Sequence, residues 1–285
     1  MRFLYLSVLF SLFPAVSISI VPLSPAGGEY LRIYAPGDYA YVPDHEDFHI
    51  TSKKEGYTIE MWYYAERPLQ EFDRAAVQPR ELWTMIYKAD SYEIGLGSNI
   101  IPRFISETKS FGILGPQHPL PPNQWHYFVV TLSAEYVQVV YNNQLWGRRV
   151  RGFMALGNRD SLFCIGGGET PVPFNGPDAP EWVGKDLWIP YIDGFIDEVR
   201  ISNIVRYPRE NINLGRWVDT IEVPEGRFEP DEHTLALWHF DFEGNEGSKW
   251  RDSSGNGHHL TYKGEYLNVR SIGKLPIIWG ELKKQ

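Results

Sequence analysis

Short runs of apolar residues, separated by turn-forming residues, recur along most of the chain. The clearest are YTIEMWYY at 57–64, WHYFVVTL at 125–132 and GFIDEVRI at 194–201. Runs of this length that are rich in aromatic and β-branched residues are typical of strands. No run of ten or more residues has the 3.6-residue periodicity of an amphipathic helix. The pattern therefore predicts an all-β fold.

Weaker runs of the same kind predict eight further strands, at 30–34, 39–43, 82–88, 92–96, 136–141, 144–147, 162–165 and 235–240. Asn142 and Asn143 lie between two of these runs and predict a tight hairpin turn, because asparagine tolerates the positive φ that such turns need. Two proline-rich loops, at 116–123 and 166–190, are long enough either to carry function or to cover the edges of a sheet.

The strand at 194–201 contains a carboxylate among apolar residues. Successive residues of a strand point to opposite faces. A strict alternation places Asp197 on the same face as three apolar residues, Phe195, Val199 and Ile201. An apolar face implies burial, and a buried carboxylate must be hydrogen-bonded, paired or bound to a metal. We therefore expect Asp197 to meet either a structural cation or a fixed cluster of hydrogen-bond donors.

Composition narrows the class of protein. The chain has 285 residues, a length that fits one large β domain or two small domains, and its 43% of apolar residues, with 15% aromatic, are enough for a sizeable core. Its formal net charge of -9 argues against binding to nucleic acid or to anionic membranes. The single cysteine, Cys164, cannot form an intramolecular disulfide, and its strand-like setting predicts a small buried apolar residue.

Residues 1–19 have the character of an export signal. Arg2 is followed by an apolar run from 3 to 16, and small residues within 15–19 offer cleavage sites. The run is shorter than the ~20 residues that span a bilayer. An uncleaved anchor or a buried first strand is the alternative. We expect an exported protein, extracellular, periplasmic or at the cell surface, with no membrane span once the signal is removed.

Five strand blocks stand in an order that resembles a known family. They are YTIEMWYY, QWHYFVVT, VVYNNQLWG, FCIGGG and GFIDEVRIS, all within residues 29–207. In this order they resemble the laminin-G-like jellyroll domains of the concanavalin A-like lectin and glucanase superfamily. The resemblance implies a two-sheet antiparallel jellyroll sandwich. It also implies a binding or adhesion module for carbohydrate or an extracellular protein, although a fold alone does not fix a ligand.

A sixth block, at 235–260, resembles a segment that relatives often carry at the start of the domain. One interpretation is that it closes the same sandwich from the C-terminal side, with 218–230 running back across the fold. The other is that it begins a second repeat, but too few residues follow for another sandwich. We therefore predict one domain at 29–262, in which 235–262 closes the sandwich, followed by a tail at 263–285.

The resemblance also implies a structural calcium site. Asp197 matches the aspartate of the IDEVRI strand, which holds calcium in several relatives. Calcium takes several oxygen ligands, and the expected co-ligands in the sixth block are Asp241, Asp252 and Asn256. The segment 252–257 is also typical of an Asx turn without an ion.

Aromatic side chains are the residues that we expect to bind carbohydrate. Trp182 and Trp188 lie in the proline-rich loop at 166–190, where exposure is favoured. On the strand at 57–64, Trp62 and Tyr64 share a face with polar residues, a mixture suited to a shallow sugar-binding sheet. The alternative is that Trp62 and Tyr64 are packed in the core, as tryptophan in strands usually is.

The sequence does not favour an enzyme. Glucanases of this superfamily place paired carboxylates on one face of a strand, one acting as acid and one as nucleophile or base. Here Glu60 stands alone on its strand, and Asp241 and Glu243 share a face only at a strand end. We therefore expect no catalytic residues. The alternatives are a scaffold domain with only a stabilising ion and a degenerate glycoside hydrolase.

Overall fold

The strand-forming runs of the sequence lie in two antiparallel sheets in the computed structural model of the chain. The structure describes residues 23–33, 38–50, 56–66, 83–89, 91–96, 100–105, 110–112, 121–133, 136–149, 160–168, 194–208, 218–219, 221–241 and 249–264. Within these ranges the helical content is one 3-10 turn at Glu46–Phe48. None of the described helical structure is long and apolar enough to span a membrane. The predicted all-β, two-sheet antiparallel sandwich is confirmed.

The strands, in chain order, are β1 Leu31–Ile33, β2 Tyr39–Val42, β3 Tyr57–Ala65, β4 Trp83–Lys88, β5 Tyr92–Leu96, β6 Ile100–Ile105, β7 Ser110–Gly112, β8 Trp125–Leu132, β9 Tyr136–Tyr141, β10 Gln144–Arg149, β11 Phe163–Ile165, β12 Gly194–Ser202, β13 Val218–Asp219, β14 Thr234–Trp238, β15 Lys249–Trp250 and β16 Leu260–Lys263. The first sheet has the order β1-β12-β3-β8-β9-β10-β13, with β14 also paired to β12. The second sheet has the order β15-β16-β2-β11-β4-β5-β6-β7.

The main core lies between the two sheets. Alternate residues of β3 and β8 enter it from the first sheet, among them Met61, Tyr63 and Phe128. Phe163 and Ile86 enter it from the second sheet. This is the two-residue period that the apolar runs predicted.

The outer face of the first sheet is covered as well. Trp62 and Tyr127 belong to a second apolar cluster that includes Phe228, and Ile221 and Val223 pack against it. The segment 221–229 therefore crosses the outside of this sheet. As a result all nine residues of β3 are buried, on both faces.

A β-bulge in β12 changes the direction of its side chains. Asp197 pairs with Trp62 of β3, and the regular pairing resumes only at Arg200. Glu198, in between, has a left-handed backbone with a φ of 51°. The extra residue reverses the alternation after it.

The bulge corrects one prediction and leaves another intact. Ile196, Val199 and Ile201 all enter the main core, so Val199 and Ile201 do not share a face with Asp197. The predicted common face is therefore wrong, because it assumed an unbroken alternation. Asp197 lies on the outer face, opposite Trp62. Its predicted burial is confirmed, since it is 0% exposed.

Segments from both ends of the chain pair with one edge of β12. β1 pairs with its first residues, 194–196, and β14 pairs with its last residues, 199–202. In the second sheet β16 pairs with β2, and β15 pairs with β16. The segment 234–263 therefore adds strands to both sheets of the same sandwich.

Local backbone features explain where the predicted strands differ from the observed ones. The hairpin at 142–143 is confirmed: Tyr141 pairs with Gln144, and Asn142 has a φ of 51°. β14 ends at Trp238 and not at 240, and Phe240 has a left-handed φ of 58°. Strands β6, β7, β13, β15 and β16 were not predicted. β6 contains Pro102, a residue that is rare in strands.

Candidate functional site

Three carboxylates, Asp197, Glu198 and Asp241, form what we call the acidic cluster, on the outer face of the first sheet. Asp197 and Glu198 lie at the bulge of β12, and Asp241 lies three residues after the end of β14. Asp197 and Glu198 are at most 1% exposed, whereas the side chain of Asp241 is 22% exposed. The pairing of β14 with β12 brings these groups together, although 43 residues separate Glu198 from Asp241 in the sequence (241 − 198).

Asp197 is the least satisfied member of the cluster. Its Oδ1 accepts a hydrogen bond from the backbone N–H of Glu198 at 2.8 Å. Its Oδ2 is buried and has no hydrogen-bond partner among the described residues. Burial raises the pKa of this carboxyl well above its usual value; the Ser24 hydroxyl partly opposes the rise, and the charges of Glu198 and Asp241 add to it.

Glu198 and Asp241 are held by donors from two other segments. Glu198 accepts hydrogen bonds from the backbone N–H of Phe228 at 2.8 Å and from Nδ1 of His239 at 2.8 and 2.9 Å. Arg227 donates to Asp241 and lies 3.9 Å from Glu198. The guanidinium thus supplies positive charge to two of the three carboxylates, and its side chain is 45% exposed.

The chain before β1 closes over the acidic cluster. The backbone N–H of Glu29 donates to Oδ1 of Asp241 at 2.7 Å. Gly28 precedes it with a left-handed φ of 73°, and a Cβ at this position would lie 2.0 Å from Oδ1 of Asp241. Only glycine allows this approach, because any larger residue would overlap with the carboxylate.

The donor set of the acidic cluster fits calcium. Calcium binds carboxylate and backbone oxygens, and the cluster offers three carboxylates, one of which has a buried oxygen with no hydrogen-bond partner. Asp197, Glu198 and Asp241 are the residues that would hold the ion. A bound cation would add positive charge where Arg227 now provides it. The sequence did not predict Glu198 as a member of this cluster, because in a regular strand its side chain would point to the face opposite that of Asp197.

Asp252 and Asn256 belong to a different structure. Asp252 accepts four hydrogen bonds, from the backbone N–H groups of Leu237, Ser254 and His258 and from the Ser254 hydroxyl. Asn256 donates to the carbonyls of Thr234 and Leu235. Both oxygens of Asp252 are thus satisfied within an Asx-type turn that covers β14. The structure brings Asp197 and Asp241 together and places Asp252 and Asn256 in this separate turn.

The aromatic residues expected to bind carbohydrate divide into two groups. Trp62 and Tyr64 are 6% and 3% exposed. The Trp62 ring lies 5.3 Å from that of Tyr127, and the Tyr64 ring lies 5.5 Å from that of Trp125. The exposed platform expected on β3 is therefore corrected to a packed aromatic layer. Trp182 and Trp188 lie outside the described residues.

Glu60, which the sequence left without a partner, is the centre of a buried network on the same face. Its carboxylate accepts hydrogen bonds from Nε of Arg200 at 2.6 Å and from the hydroxyls of Tyr127 and Tyr207 at 2.5 and 3.0 Å. Glu60 is 0% exposed. Burial, reinforced by the charge of Glu60, raises the pKa of the Tyr207 hydroxyl. The Glu60 carboxylate is thus fully engaged in holding β12 and β8 to β3.

Comparison with known proteins agrees with this architecture. Residues 35–210 match the Laminin_G_3 family model, which is described as concanavalin A-like lectin/glucanases superfamily. No curated protein matches the sequence significantly.

Solved structures that match this chain have low sequence identity to it. A protein from Bacteroides ovatus, whose description proposes carbohydrate binding, is 15% identical with a TM-score of 0.50, over 85% of this chain and 62% of that one. This chain therefore spans less than two thirds of that protein. Domain 4 of an extracellular arabinanase from Geobacillus stearothermophilus, in complex with arabinotriose, is 16% identical with a TM-score of 0.34, over 63% and 68% of the two chains. Domains LG4-5 of the mouse laminin α1 chain are 11% identical with a TM-score of 0.42, over 67% and 47%.

Proposed function

This chain belongs to the laminin-G-like family of the concanavalin A-like lectin/glucanases superfamily, and from that premise we propose that it is a non-catalytic binding module for carbohydrate or an extracellular protein. The superfamily includes both binding proteins and hydrolases, so the choice between them rests on the carboxylates of this chain.

The observation that carries the proposal is that the buried carboxylates Glu60 and Glu198 are already hydrogen-bonded to other parts of the chain. A glycosidase needs one carboxyl group as acid and a second as nucleophile or base, both within reach of the substrate. Glu60 is 0% exposed and holds Arg200 and two tyrosines, and Glu198 is 1% exposed and holds His239. Carboxylates in this state stabilise the sheet, and at 0% and 1% exposure they are out of reach of a substrate in solvent.

We further propose that the acidic cluster binds a structural calcium ion. The unpartnered Oδ2 of Asp197 supports this, because an ionised carboxylate is expensive to bury without a cation or hydrogen bonds. A calcium ion here would join the chain before β1, the bulge of β12 and the end of β14. The module would then be stabilised where the two ends of the domain meet.

We propose that the module acts outside the cytoplasm. The export signal expected at 1–19 lies outside the described residues, and so does the loop with Trp182 and Trp188. The proposal of export and the proposal that this loop binds the ligand therefore both rest on the sequence. Fractionation of the producing cells, with N-terminal sequencing of the mature protein, tests the first. A mature N-terminus at residue 1, in protein that is retained in the cytoplasm, would contradict it.

A glycan array tests the ligand class. The wild-type protein is compared with Trp182→Ala, Trp188→Ala and a control, Leu23→Ala, which truncates a side chain in a residue that is 64% exposed. We expect glycan signals that fall in one or both tryptophan variants and persist in the control. Equal signals in all four proteins would contradict the aromatic loop as the binding surface. Binding to immobilised extracellular proteins without any glycan signal would select the protein ligand, and no binding of either kind would favour a scaffold domain.

A further inference from the structure

A second group of metal-ligand side chains lies apart from the acidic cluster. We call it the histidine cluster, and it comprises His45, Asp47 and His258. Oδ2 of Asp47 lies 3.1 Å from Nδ1 of His45 and 2.8 Å from Nε2 of His258. One ligand atom from each of the three residues lies within 4.8 Å of the others. The group joins the loop after β2 to the turn before β16.

The surrounding structure fixes the positions of these three residues. His45 caps the 3-10 turn at Glu46–Phe48, and its Nδ1 accepts a hydrogen bond from the backbone N–H of Asp47 at 3.2 Å. Phe48, at the end of this turn, is 0% exposed and anchors the loop in the core. Its ring meets that of His258 edge to face at 4.8 Å.

The backbone of His258 is fixed by hydrogen bonds, in addition to the contacts of its ring. Its N–H donates to Oδ2 of Asp252 at 2.9 Å, and its carbonyl accepts a hydrogen bond from Nε1 of Trp238 at 2.7 Å. The residue is 7% exposed. Its Nε2 therefore points at Asp47 from a rigid support, which is the preorganisation that a metal site needs.

The chemistry of the group differs from that of the acidic cluster. Two imidazoles and one carboxylate suit a borderline divalent cation, whereas calcium prefers oxygen ligands alone. In a tetrahedral zinc site with bonds of about 2.0–2.1 Å, neighbouring ligand atoms lie about 3.3 Å apart. The two spacings to Oδ2 of Asp47, 2.8 and 3.1 Å, are close to this value. We propose that His45, Asp47 and His258 bind a zinc ion or a similar borderline divalent cation.

Binding of the ion requires two small changes. The hydrogen bond between Nε2 of His258 and Asp47 is replaced by two bonds to the metal, and Nδ1 of His45 gives up the N–H of Asp47. The histidines must be neutral to ligate, so any proton they carry is released to solvent. The side chain of His45 is 49% exposed, so water can occupy the fourth position.

The expected consequence is a cross-link between distant parts of the chain. Asp47 and His258 are 211 residues apart in the sequence. An ion shared between them would tie the turn before β16 to the loop after β2. It would stabilise the folded state, because the ligands come together only when the domain is folded.

The test uses the full chain after metals are removed on a chelating resin. Zinc is added, and binding is measured by calorimetry and by thermal melting. We expect one site, and a rise of roughly 5–10 °C in the melting midpoint at free zinc about 100 times the Kd. Cobalt in place of zinc should give the visible absorption of a four-coordinate site.

Matched variants assign the site. His45→Gln removes an imidazole whose side chain is 49% exposed and, with it, the cap of the 3-10 turn at Glu46–Phe48, and we expect zinc affinity to fall by about tenfold or more. His233→Gln, at a histidine whose side chain is 42% exposed, is the control and should bind as the wild type does. Equal zinc affinity in wild type and His45→Gln, or no binding by the wild type, would overturn the proposal.

Discussion

The substitution Asp197→Asn gives the sharpest test of the acidic cluster. In metal-free protein Asp197 is 0% exposed and its Oδ2 has no hydrogen-bond partner among the described residues. Asparagine has the same shape and carries no charge, and its Oδ1 can still accept the N–H of Glu198. The asparagine NH2 would take the place of Oδ2 and would be equally unpartnered, so the gain comes from the lost charge, whose burial without a partner costs about 1–3 kcal/mol or more. We therefore expect the variant to be more stable than the wild type without metal, by roughly 2–12 °C in the melting midpoint.

Added calcium should reverse this order. Calcium at about 1,000 times its Kd stabilises the folded state by about 4.1 kcal/mol, which exceeds the advantage of about 1–3 kcal/mol that the variant has without metal. The wild type gains this stabilisation, and the variant, which has lost a charged ligand, gains little. Both proteins are melted after metal removal, with and without calcium. Asp252→Asn is the control: it disturbs an Asx turn with four hydrogen bonds, so it should lower the midpoint equally in both conditions.

The pH dependence provides a second readout of the same group. The folded-state pKa of Asp197 is raised above its unfolded value of about 3.9. The folded state thus binds the proton more tightly, and this contribution to stability is present at low pH. It is lost as pH rises from about 4 towards the raised folded-state pKa. We expect the loss in metal-free wild type and not in Asp197→Asn. The reasoning would be refuted if calcium left the melting midpoint of the wild type unchanged. It would also be refuted if the variant melted below the wild type by the same amount with and without calcium.

Three further predictions concern other parts of the described structure. Glu60→Gln leaves the partly buried Arg200 without its ion-pair partner. The free energy of unfolding, measured in urea, should therefore fall by about 3–5 kcal/mol. A loss below about 1 kcal/mol would count against a stabilising role of the Glu60 network. Gly28→Ala should abolish the calcium-induced rise in melting midpoint, whereas Gly27→Ala, which has a similar φ of 79° but nothing within 4 Å of its Cβ, should keep it. Both alanines should cost about 1–2 kcal/mol in backbone strain. Burial raises the thiol pKa of Cys164 to about 12, so a thiol reagent at pH 8 should label native protein no faster than it unfolds; rapid labelling would show that the thiol is accessible.

The sequence predicted the fold well because the evidence for strands is local. Aromatic and β-branched runs identified most strands, and Asn142–Asn143 identified the hairpin between β9 and β10. Strands as short as β15, which has two residues, are too short to show an alternation of apolar and polar residues, so the sequence does not predict them. They form because β2 offers an edge on which β16 can pair.

The site was predictable only in part, because it depends on one interruption of a regular pattern. Asp197 was identified as a buried acid that needs a partner. The bulge at Glu198 could not be read from the sequence, so its inclusion in the cluster was missed. Arg227 and His239 come from segments whose approach to β12 is set by tertiary packing. No local rule places them there.

The shared edge of β12 has a practical consequence for fragments of this protein. The family match ends at residue 210, yet β12 obtains the pairing of its residues 199–202 from β14 at Thr234–Trp238. A recombinant fragment that stops at the family boundary would leave those backbone groups open to solvent beside a strand that is otherwise paired. Open edges of this kind recruit strands from other molecules. Such a fragment should therefore self-associate, and solubility should return when the chain is extended through residue 264.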